Sequence, residues 1–233
     1  MIQRFSCLQR RSDISQGRFS QHWRDIHGPL AAKVPGLLRY QQNHVVDASQ
    51  MVKHSRGGAE VDGFAQLWFA DEAAMKQASS TPEYRAAFSD LPEFTASMSQ
   101  YAVETNPVME KSVTGKAVKR MTLLYCKEGM GIDEFRHHWF DDHAAMVSEF
   151  PGLRGYLQHL IVQNLPLPEG PVTEAGIHCA GALEMWFDDS DAMEAAFASP
   201  QAKSTVAHGD VFLSAATTYV VEEVELIPAA QPS

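Results

Sequence analysis

The sequence predicts an α+β fold in which two βαββαβ repeats pack sheet to sheet and form one barrel within the chain. Three observations support this prediction. Phe, Trp and His recur at four-residue spacing in two places, and each series ends on a histidine, His27 and His143. A Pro-Gly-Leu-x2-Tyr-x-Gln motif follows each series and contains Tyr40 and Tyr156, so that 143 − 27 and 156 − 40 both equal 116. A Trp-Phe pair then recurs 118 residues apart, which indicates a duplicated unit of about half the chain.

The composition is that of an ordinary globular protein, with 233 residues of which 45% are hydrophobic and 21% charged. The net charge of −10 disfavours nucleic acid and anionic membrane surfaces as partners, because both bind basic patches. No apolar run is long enough to span a bilayer, and the start lacks an apolar signal region. Cys7, Cys126 and Cys179 are scattered and odd in number, which fits a reducing compartment. We therefore expect a cytoplasmic protein.

The repeats divide the chain into four stretches. We predict a first repeat over 1–105, a linker over 106–117, a second repeat over 118–227 and a frayed tail over 228–233. Each repeat is large enough for a small core of its own. A βαββαβ sheet with helices on one face leaves its other face uncovered, and the sheet of the second repeat is the expected cover.

The first helix of each repeat is predicted from its apolar spacing. Phe19, Trp23 and His27 lie at i, i+4 and i+8 on one helical face. Ser15 is the expected N-cap and Pro29 the expected end of that helix. The remaining elements follow from apolar runs and breakers: first strands over 2–10 and 118–126, second helices from about 71 and about 189, and loops over 47–61 and 164–178 that could cover a pocket mouth.

Alternation along the two middle strands places every second side chain on one strand face, and several of these side chains are polar. In the second strand these are Tyr40, Gln42 and His44, with Tyr156, Gln158 and Leu160 in repeat two. In the third strand they are Phe64, Gln66 and Trp68, with Ala182, Glu184 and Trp186 in repeat two. From these faces we predict a substrate-binding set that consists of Gln42, His44, Gln66, Trp68, Gln158 and Trp186.

The three repeated blocks resemble the EthD family, within the dimeric α+β barrel (ferredoxin-like) superfamily. The resemblance covers both halves and rests on Phe-x3-Trp-x3-His, Pro-Gly-Leu-x2-Tyr and the later Trp-Phe, in the same order twice. It implies two ferredoxin-like repeats that form an intramolecular barrel. It also implies that the helix histidine and the strand tyrosine face a pocket beside the sheet. Relatives in the family include lactone isomerases and polyketide-type dehydratases and cyclases, most of which work without metal or cofactor, whereas the wider superfamily also holds haem enzymes and cofactor-free monooxygenases.

The two repeats differ at positions that the resemblance marks as important. The family strand usually reads Ala-Glu-Leu-Trp-Phe, and repeat two keeps the acid as Glu184 where repeat one has Gln66. The family Asp before that strand is kept only in repeat one, as Asp62. His44 has an apolar counterpart, Leu160. We expect one of the two pockets to have lost or changed its role.

The predicted catalytic groups are those that can move a proton. A neutral imidazole at His27 or His143 can take and return a proton near neutral pH, although a buried structural histidine is the competing interpretation. Tyr40 or Tyr156 could donate to a developing anion, or merely pack. Glu184, among apolar residues, is predicted to act as an acid with a raised pKa or to orient His143.

We predict no metal site and no cofactor. The run His137-His138-x4-His143 looks metal-like, but in an ideal α-helix His138 and His143 lie about 140° apart. The predicted function is a cofactor-independent lyase or isomerase acting on a small hydrophobic, aromatic, phenolic or lactone catabolite. A non-catalytic binder of a hydrophobic metabolite is the alternative, and a haem protein is a less favoured one. A homodimer through the exposed helix layer is left open.

Overall fold

The computed structural model describes residues 1–58, 60–113 and 115–229. Repeat one supplies the strands β1 (Ile2–Arg10), β2 (Leu37–Asp47), β3 (Gly63–Phe69) and β4 (Thr95–Met109). Repeat two supplies β5 (Val118–Cys126), β6 (Leu153–Leu165), the two-residue β7 (Thr173–Glu174), β8 (Gly181–Phe187) and β9 (Leu213–Ile227). Of the predicted tail, residues 230–233 lie outside the described part of the chain.

The helices lie in the predicted places. Repeat one has α1 (Gln16–His22) and α2 (Gly28–Ala31), joined by a π-helical turn (Trp23–His27), and then α3 (Glu72–Ala78), α4 (Pro82–Asp90) and a 3₁₀ turn (Leu91–Glu93). Repeat two has α5 (Ile132–Arg136) and α6 (Ala144–Ser148), joined by a longer π-helical turn (His137–His143), and then α7 (Ser190–Ala198) and α8 (Pro200–Phe212).

Within the described residues, eight strands close into a barrel in the order β1-β3-β2-β9-β5-β8-β6-β4, with β4 returning to β1. The two repeats join at both edges, through β2 with β9 and through β4 with β6. β4 pairs with β1 from Thr95 to Val103 and with β6 from Gln100 onward. It therefore runs to Met109, inside the stretch predicted as a linker (106–117), because its far half completes the sheet of repeat two. The predicted fold class is confirmed.

The apolar side chains form three cores. One lies inside the barrel and combines both repeats, for example Phe5 and Phe64 with Met121 and Leu123. The other two lie between the helices and the outer sheet face, one for each repeat. The period of two along each strand therefore separates an inner face, shared by the repeats, from an outer face that belongs to one repeat.

The first helix of repeat one continues past the proline that was expected to end it. Ser15 is the N-cap as predicted, since its hydroxyl accepts from the amide of Arg18 at 3.3 Å. Pro29 lies in the first turn of α2, where its missing N–H costs no helical hydrogen bond. The π-helical turn before Pro29 changes the spacing of the backbone hydrogen bonds, and this is why the helix continues to Ala31.

A glycine at the start of β3 and of β8 leaves room for the repeated tryptophan. A Cβ on Gly63 would lie 2.3 Å from the ring of Trp23, and one on Gly181 would lie 2.4 Å from the ring of Trp139. Both distances are far below van der Waals contact. The sheet and the helix thus approach closely at the same point in each repeat.

Each long loop crosses to the other repeat. Met51 and Val52, from the loop after β2, pack in the outer core of repeat two. Leu167 and Val172, from the loop after β6, pack in the outer core of repeat one. These loops cover the helix layer of the other repeat, and the loop after β6 also lines a cleft there through Pro166 and Pro168.

Candidate active site

Repeat one has a cavity of about 50 Å³ between its helices and the outer face of its sheet. Most of the lining is apolar, from side chains such as Leu8, Ala65 and Leu67. The polar residues of the lining are Arg4, Ser6, His27, Tyr40, Tyr84 and Gln100. A mostly apolar wall with a few convergent polar groups is the usual composition of a small-molecule site.

A carboxylate at the end of α4 holds two histidines of the first helix. Asp90 Oδ2 lies 3.1 Å from His27 Nδ1, and Asp90 Oδ1 lies 3.1 Å from His22 Nε2. The two histidines are five residues apart, which would separate them in an α-helix. They meet the same carboxylate because residues five apart come together in a π-helical turn.

The pKa of His27 reflects two opposed effects. Burial lowers it below its ordinary value, and the hydrogen bond and charge of Asp90 oppose that change. Burial alone would raise the pKa of Asp90, but the hydrogen bonds with His27 and His22 outweigh it and lower the pKa. A charged carboxylate only accepts, so it fixes the proton of neutral His27 on Nδ1 and leaves the Nε2 lone pair available.

Tyr40 lies at the centre of a polar cluster on the same cavity wall. Its hydroxyl accepts from Trp23 Nε1 at 3.2 Å and from Gln42 Nε2 at 2.9 Å. Gln42 also donates to the Trp23 carbonyl, and its own carbonyl accepts from His44 Nε2 at 2.9 Å. Two donors into one phenol oxygen leave the phenol proton to be donated elsewhere, and burial raises the pKa of Tyr40 to about 12.

Arg4 brings a positive charge to the cavity. Its side chain is buried, and in the described structure its Nε has no hydrogen-bond partner. Its Nη1 makes only a long hydrogen bond of 3.4 Å to the hydroxyl of Tyr84. A buried guanidinium with unused donors is costly in an apolar wall unless an anion completes it.

Repeat two places a histidine where repeat one has the carboxylate. At the offset of 118, residue 208 corresponds to residue 90, and His143 Nδ1 faces His208 Nδ1 at 3.2 Å. Burial, together with the neighbouring His208 and His54, lowers the pKa of His143 to about 3. His143 therefore lacks the carboxylate that supports the basicity of His27.

The pocket wall of repeat two also carries larger side chains at several equivalent positions. Val147, Phe150 and Leu183 replace Ala31, Val34 and Ala65 of repeat one. Tyr156 and Gln158 repeat the tyrosine–glutamine hydrogen bond at 2.8 Å. Trp139 Nε1, unlike Trp23 Nε1, has no partner among the described residues.

The residues predicted from the third strand lie on the opposite face of the sheet. Gln66, Trp68, Glu184 and Trp186 belong to the inner face, whereas His27 and His143 lie under the helices on the outer face. Glu184 therefore does not orient His143. The structure does not bring these two sets of predicted site residues together.

Glu184 is the centre of a buried polar network inside the barrel. It pairs with Lys119, and both side chains are 2% exposed. It also contacts His159 Nε2 and Gln66 Nε2, each at 2.5 Å. Burial would raise the pKa of Glu184, but the charge of Lys119 and the hydrogen bond with His159 lower it, opposite to the predicted direction. Glu184 is thus held as a carboxylate.

The two tryptophans of this face each contact a cation. The guanidinium of Arg39 lies 4.6 Å from the ring centre of Trp68. The ammonium of Lys119 lies 4.8 Å from that of Trp186, whose Nε1 donates to Glu223 at 3.3 Å. These contacts place Trp68 and Trp186 away from the cavity of repeat one.

Sequence reasoning missed Asp90 and Arg4. Asp90 carries a signal, because alignment of the repeats at the offset of 118 pairs it with a histidine. The sequence signal for Arg4 is weaker, since Arg120 is its counterpart and an arginine in an apolar strand does not by itself indicate a cavity. In the described part of the chain, no helix is long and apolar enough to cross a membrane.

The comparisons with known proteins agree with this architecture. The family model described as the EthD domain matches residues 11–97 and 127–216, one match in each repeat. No curated protein matches the chain significantly.

Three solved structures share the fold over nearly the whole chain. An anthrone oxidase-like protein is 14% identical, with 99% of this chain and 96% of that one covered and a TM-score of 0.65. A candidate monooxygenase from Fusobacterium nucleatum is 8% identical, with 95% and 91% covered and a TM-score of 0.62. A candidate monooxygenase from Lactobacillus acidophilus NCFM is 11% identical, with 99% and 97% covered and a TM-score of 0.57. At such identities the likeness concerns the fold alone.

Proposed function

This chain belongs to the EthD family and carries two EthD domains, and from that premise we propose that its first repeat is a cofactor-independent lyase or isomerase. The substrate class is a small aromatic, phenolic or lactone compound that becomes an anion during the reaction. The observation that carries the proposal is that His27, which lines the cavity, is paired with Asp90. The second repeat lacks this pair, so the proposed activity resides in repeat one.

His27 is the proposed general base. Asp90 holds the ring through Nδ1 and keeps the lone pair on Nε2, the same division of roles that orients catalytic histidines elsewhere. Its lowered pKa keeps the ring neutral, and hence able to accept a proton, at neutral pH. The imidazolium formed by proton transfer is stabilised by the adjacent carboxylate.

Tyr40 and Arg4 are proposed to stabilise the anion. Tyr40 stays protonated at neutral pH and has its hydroxyl oxygen already occupied by two donors, which favours donation of its own proton. Arg4 offers positive charge without a carboxylate partner in the described structure. Both side chains are buried, and a preorganised donor stabilises charge more strongly there than in water.

These groups support three reactions that each begin with removal of a proton and differ in the bond that then breaks or forms. For a phenol with a hydroxymethyl side chain, the base would remove the proton of the hydroxymethyl O–H. Cleavage of the bond between that carbon and the ring would release formaldehyde, and the ring carbon would take the proton back. For a lactone, one proton would move between carbons. For a β-hydroxy ketone, loss of the α-proton would be followed by loss of hydroxide as water.

Access to the cavity requires a side chain to move. A volume of about 50 Å³ holds only a few water molecules, fewer than the space an aromatic ring needs. A larger cleft of about 430 Å³ lies next to it and shares Arg4, Tyr84 and Gln100. We propose that substrate enters from this cleft when Tyr84 turns away from Arg4, and that its return encloses the reaction.

The second candidate is a binder that sequesters a hydrophobic metabolite without turnover, which the mostly apolar lining of the cavity favours. Incubation with phenolic, hydroxymethyl-aromatic and lactone compounds in heavy water, followed by NMR, separates the two candidates. Deuterium uptake or turnover in the wild type that is lost in His27→Gln supports the enzyme. Binding without exchange supports the carrier, and exchange that survives in His27→Gln rejects His27 as the base.

A further inference from the structure

Repeat two gathers three metal-ligand side chains beside its π-helical turn. His138, Asp142 and His208 each offer one ligand atom, and these atoms all lie within 4.8 Å of one another. His138 and Asp142 are four residues apart in the same helical segment, and His208 comes from α8. Two imidazoles and one carboxylate are a ligand set that zinc and related divalent metals accept.

The comparison of the repeats shows how this set arises. The equivalent residues of repeat one are His22, Ile26 and Asp90, at offsets of 116 and 118. There the single carboxylate, Asp90, is already bonded to two histidines, and Ile26 is an exposed apolar side chain. In repeat two, His208 on α8 stands where repeat one has Asp90 on α4. Asp142 stands on the first helix in place of Ile26. In repeat one, the histidines and Asp90 are hydrogen-bonded to one another. In repeat two, His138 Nδ1 and the Asp142 carboxylate are not hydrogen-bonded to each other and can face a metal ion.

His138 is the clearest of these free ligands. Its Nδ1 is buried and has no hydrogen-bond partner in the described structure. Asp142 Oδ2 lies 4.0 Å away, too far for a hydrogen bond. A tetrahedral ion with bonds of about 2.0–2.1 Å sets its ligand atoms about 3.3 Å apart. A modest rotation of the exposed Asp142 side chain would reach that separation.

His143 contacts the Nδ1 atom of His208 and can thereby orient the His208 ring. The two Nδ1 atoms face each other at 3.2 Å, so one of them carries the shared proton. When His208 is the donor, its Nε2 lone pair is available to a metal, and His143 fixes the ring. Ligand histidines commonly donate their other ring N–H to a fixed acceptor in this manner.

The prediction of no metal site depended on ideal α-helical geometry, which separates His138 from His143. The π-helical turn over His137–His143 removes that premise, because residues five apart come together. Both histidines consequently approach α8, where their ring centres lie 6.0 Å and 5.5 Å from that of His208.

We propose that repeat two binds one divalent transition-metal ion, of the zinc type, through His138, Asp142 and His208. The ion joins the first helix of repeat two to α8, and its remaining coordination position is open to water. His143 is a positioning residue for His208. The site is separate from the cavity of repeat one, so it stands or falls independently of the proposed proton-transfer activity.

The test is a Co²⁺ titration of untagged, metal-free full-length protein, read by visible absorption and calorimetry and followed by displacement with Zn²⁺. We expect one Co²⁺ per chain, a visible absorption band of a low-symmetry site, and an affinity that falls at least about 100-fold in His208→Gln and Asp142→Asn. His143→Gln should weaken binding about 10- to 100-fold, the range for outer-shell partners of a metal.

The neighbouring pair His137 and Asp141 is the matched control. It has the same spacing of four residues, lies 2.8 Å apart and is exposed. His137→Gln and Asp141→Asn should leave the Co²⁺ affinity unchanged. The proposal is overturned if wild type shows no Co²⁺ band, or if His208→Gln with an unchanged circular dichroism spectrum binds as tightly as wild type. Loss of binding in the control pair instead would assign the ion to the exposed surface.

Discussion

His27 Nδ1 lies 3.1 Å from Asp90 Oδ2, and this contact between the first helix and the end of α4 distinguishes the two repeats. The same place in repeat two holds His143 and His208 at 3.2 Å. A carboxylate partner fixes one tautomer and supports protonation during proton transfer, whereas an imidazole partner does neither. The duplication therefore keeps the βαββαβ unit twice and the histidine–carboxylate pair once.

Asp90→Asn should remove the orientation of His27 while keeping the shape of the site. An amide can present its NH₂ group to Nδ1 and select the opposite tautomer, and we expect kcat to fall about 10²- to 10⁴-fold. Steady-state kinetics on any substrate found in the exchange screen would measure this. Tyr156→Phe, in the equivalent site of repeat two, should leave kcat within a few-fold of wild type. Equal losses in both variants would contradict the assignment to repeat one.

Tyr84→Ala should enlarge the site, because Tyr84 lines both the small cavity and the neighbouring cleft. Repeat two has alanine, Ala202, at this position, so the barrel tolerates the small side chain. We expect bulkier aromatic ligands to bind at least about tenfold more tightly and small ones to bind more weakly, measured by calorimetry. Unchanged selectivity would show that the ligand does not pass Tyr84.

The fold could be predicted from the sequence because duplication and period-two patterns report it directly. The site was only half predictable. His27, Tyr40 and Gln42 lie together as expected, since one helix face and one strand face contain them. Asp90 and Arg4 come from elements distant in sequence, and no local pattern connects these to the histidine.

Two errors arose because the local structure differs from the one assumed. One assumed ideal α-helical geometry, and the other assumed the wrong face of a β-strand. An α-helical wheel separates His138 from His143, whereas the π-helical turn brings both rings next to His208. Glu184 was assigned to the pocket because its strand neighbours are apolar. A strand in this barrel is buried on both faces, so apolar neighbours do not distinguish the inner face from the outer one.

Glu184→Gln should destabilise the protein without directly affecting His27, because Glu184 lies inside the barrel. The change leaves buried Lys119 without one of its carboxylate partners, and we expect a loss of about 3 kcal/mol in the free energy of unfolding. Chemical denaturation measures the loss, and kcat at a temperature where the variant is folded should be near wild type. A double variant with Met at both positions should recover part of the stability. A large fall in kcat in the folded variant would contradict this account.

His44→Leu should make the stability less dependent on pH. Burial lowers the pKa of His44 to about 3, with Arg24 adding to the effect, whereas the unfolded chain titrates near 6.5. Between these values the unfolded state binds more protons, so acid destabilises the wild type as pH falls through this window. Repeat two already has leucine here, Leu160. Between about pH 7 and about pH 5, the difference in unfolding free energy should shift by about 2 kcal/mol in favour of the variant. Parallel pH profiles would contradict the depressed pKa.

The central claim is that Asp90 makes His27 an oriented base and that His143 has no such partner. Long-range ¹H–¹⁵N NMR of the histidine rings reads the tautomer of each residue without any substrate. We predict that neutral His27 carries its proton on Nδ1 in the wild type and loses this preference in Asp90→Asn, while the His143 signals are unchanged by that substitution. A proton on Nε2 of His27, or a tautomer that does not respond to Asp90→Asn, would contradict the account.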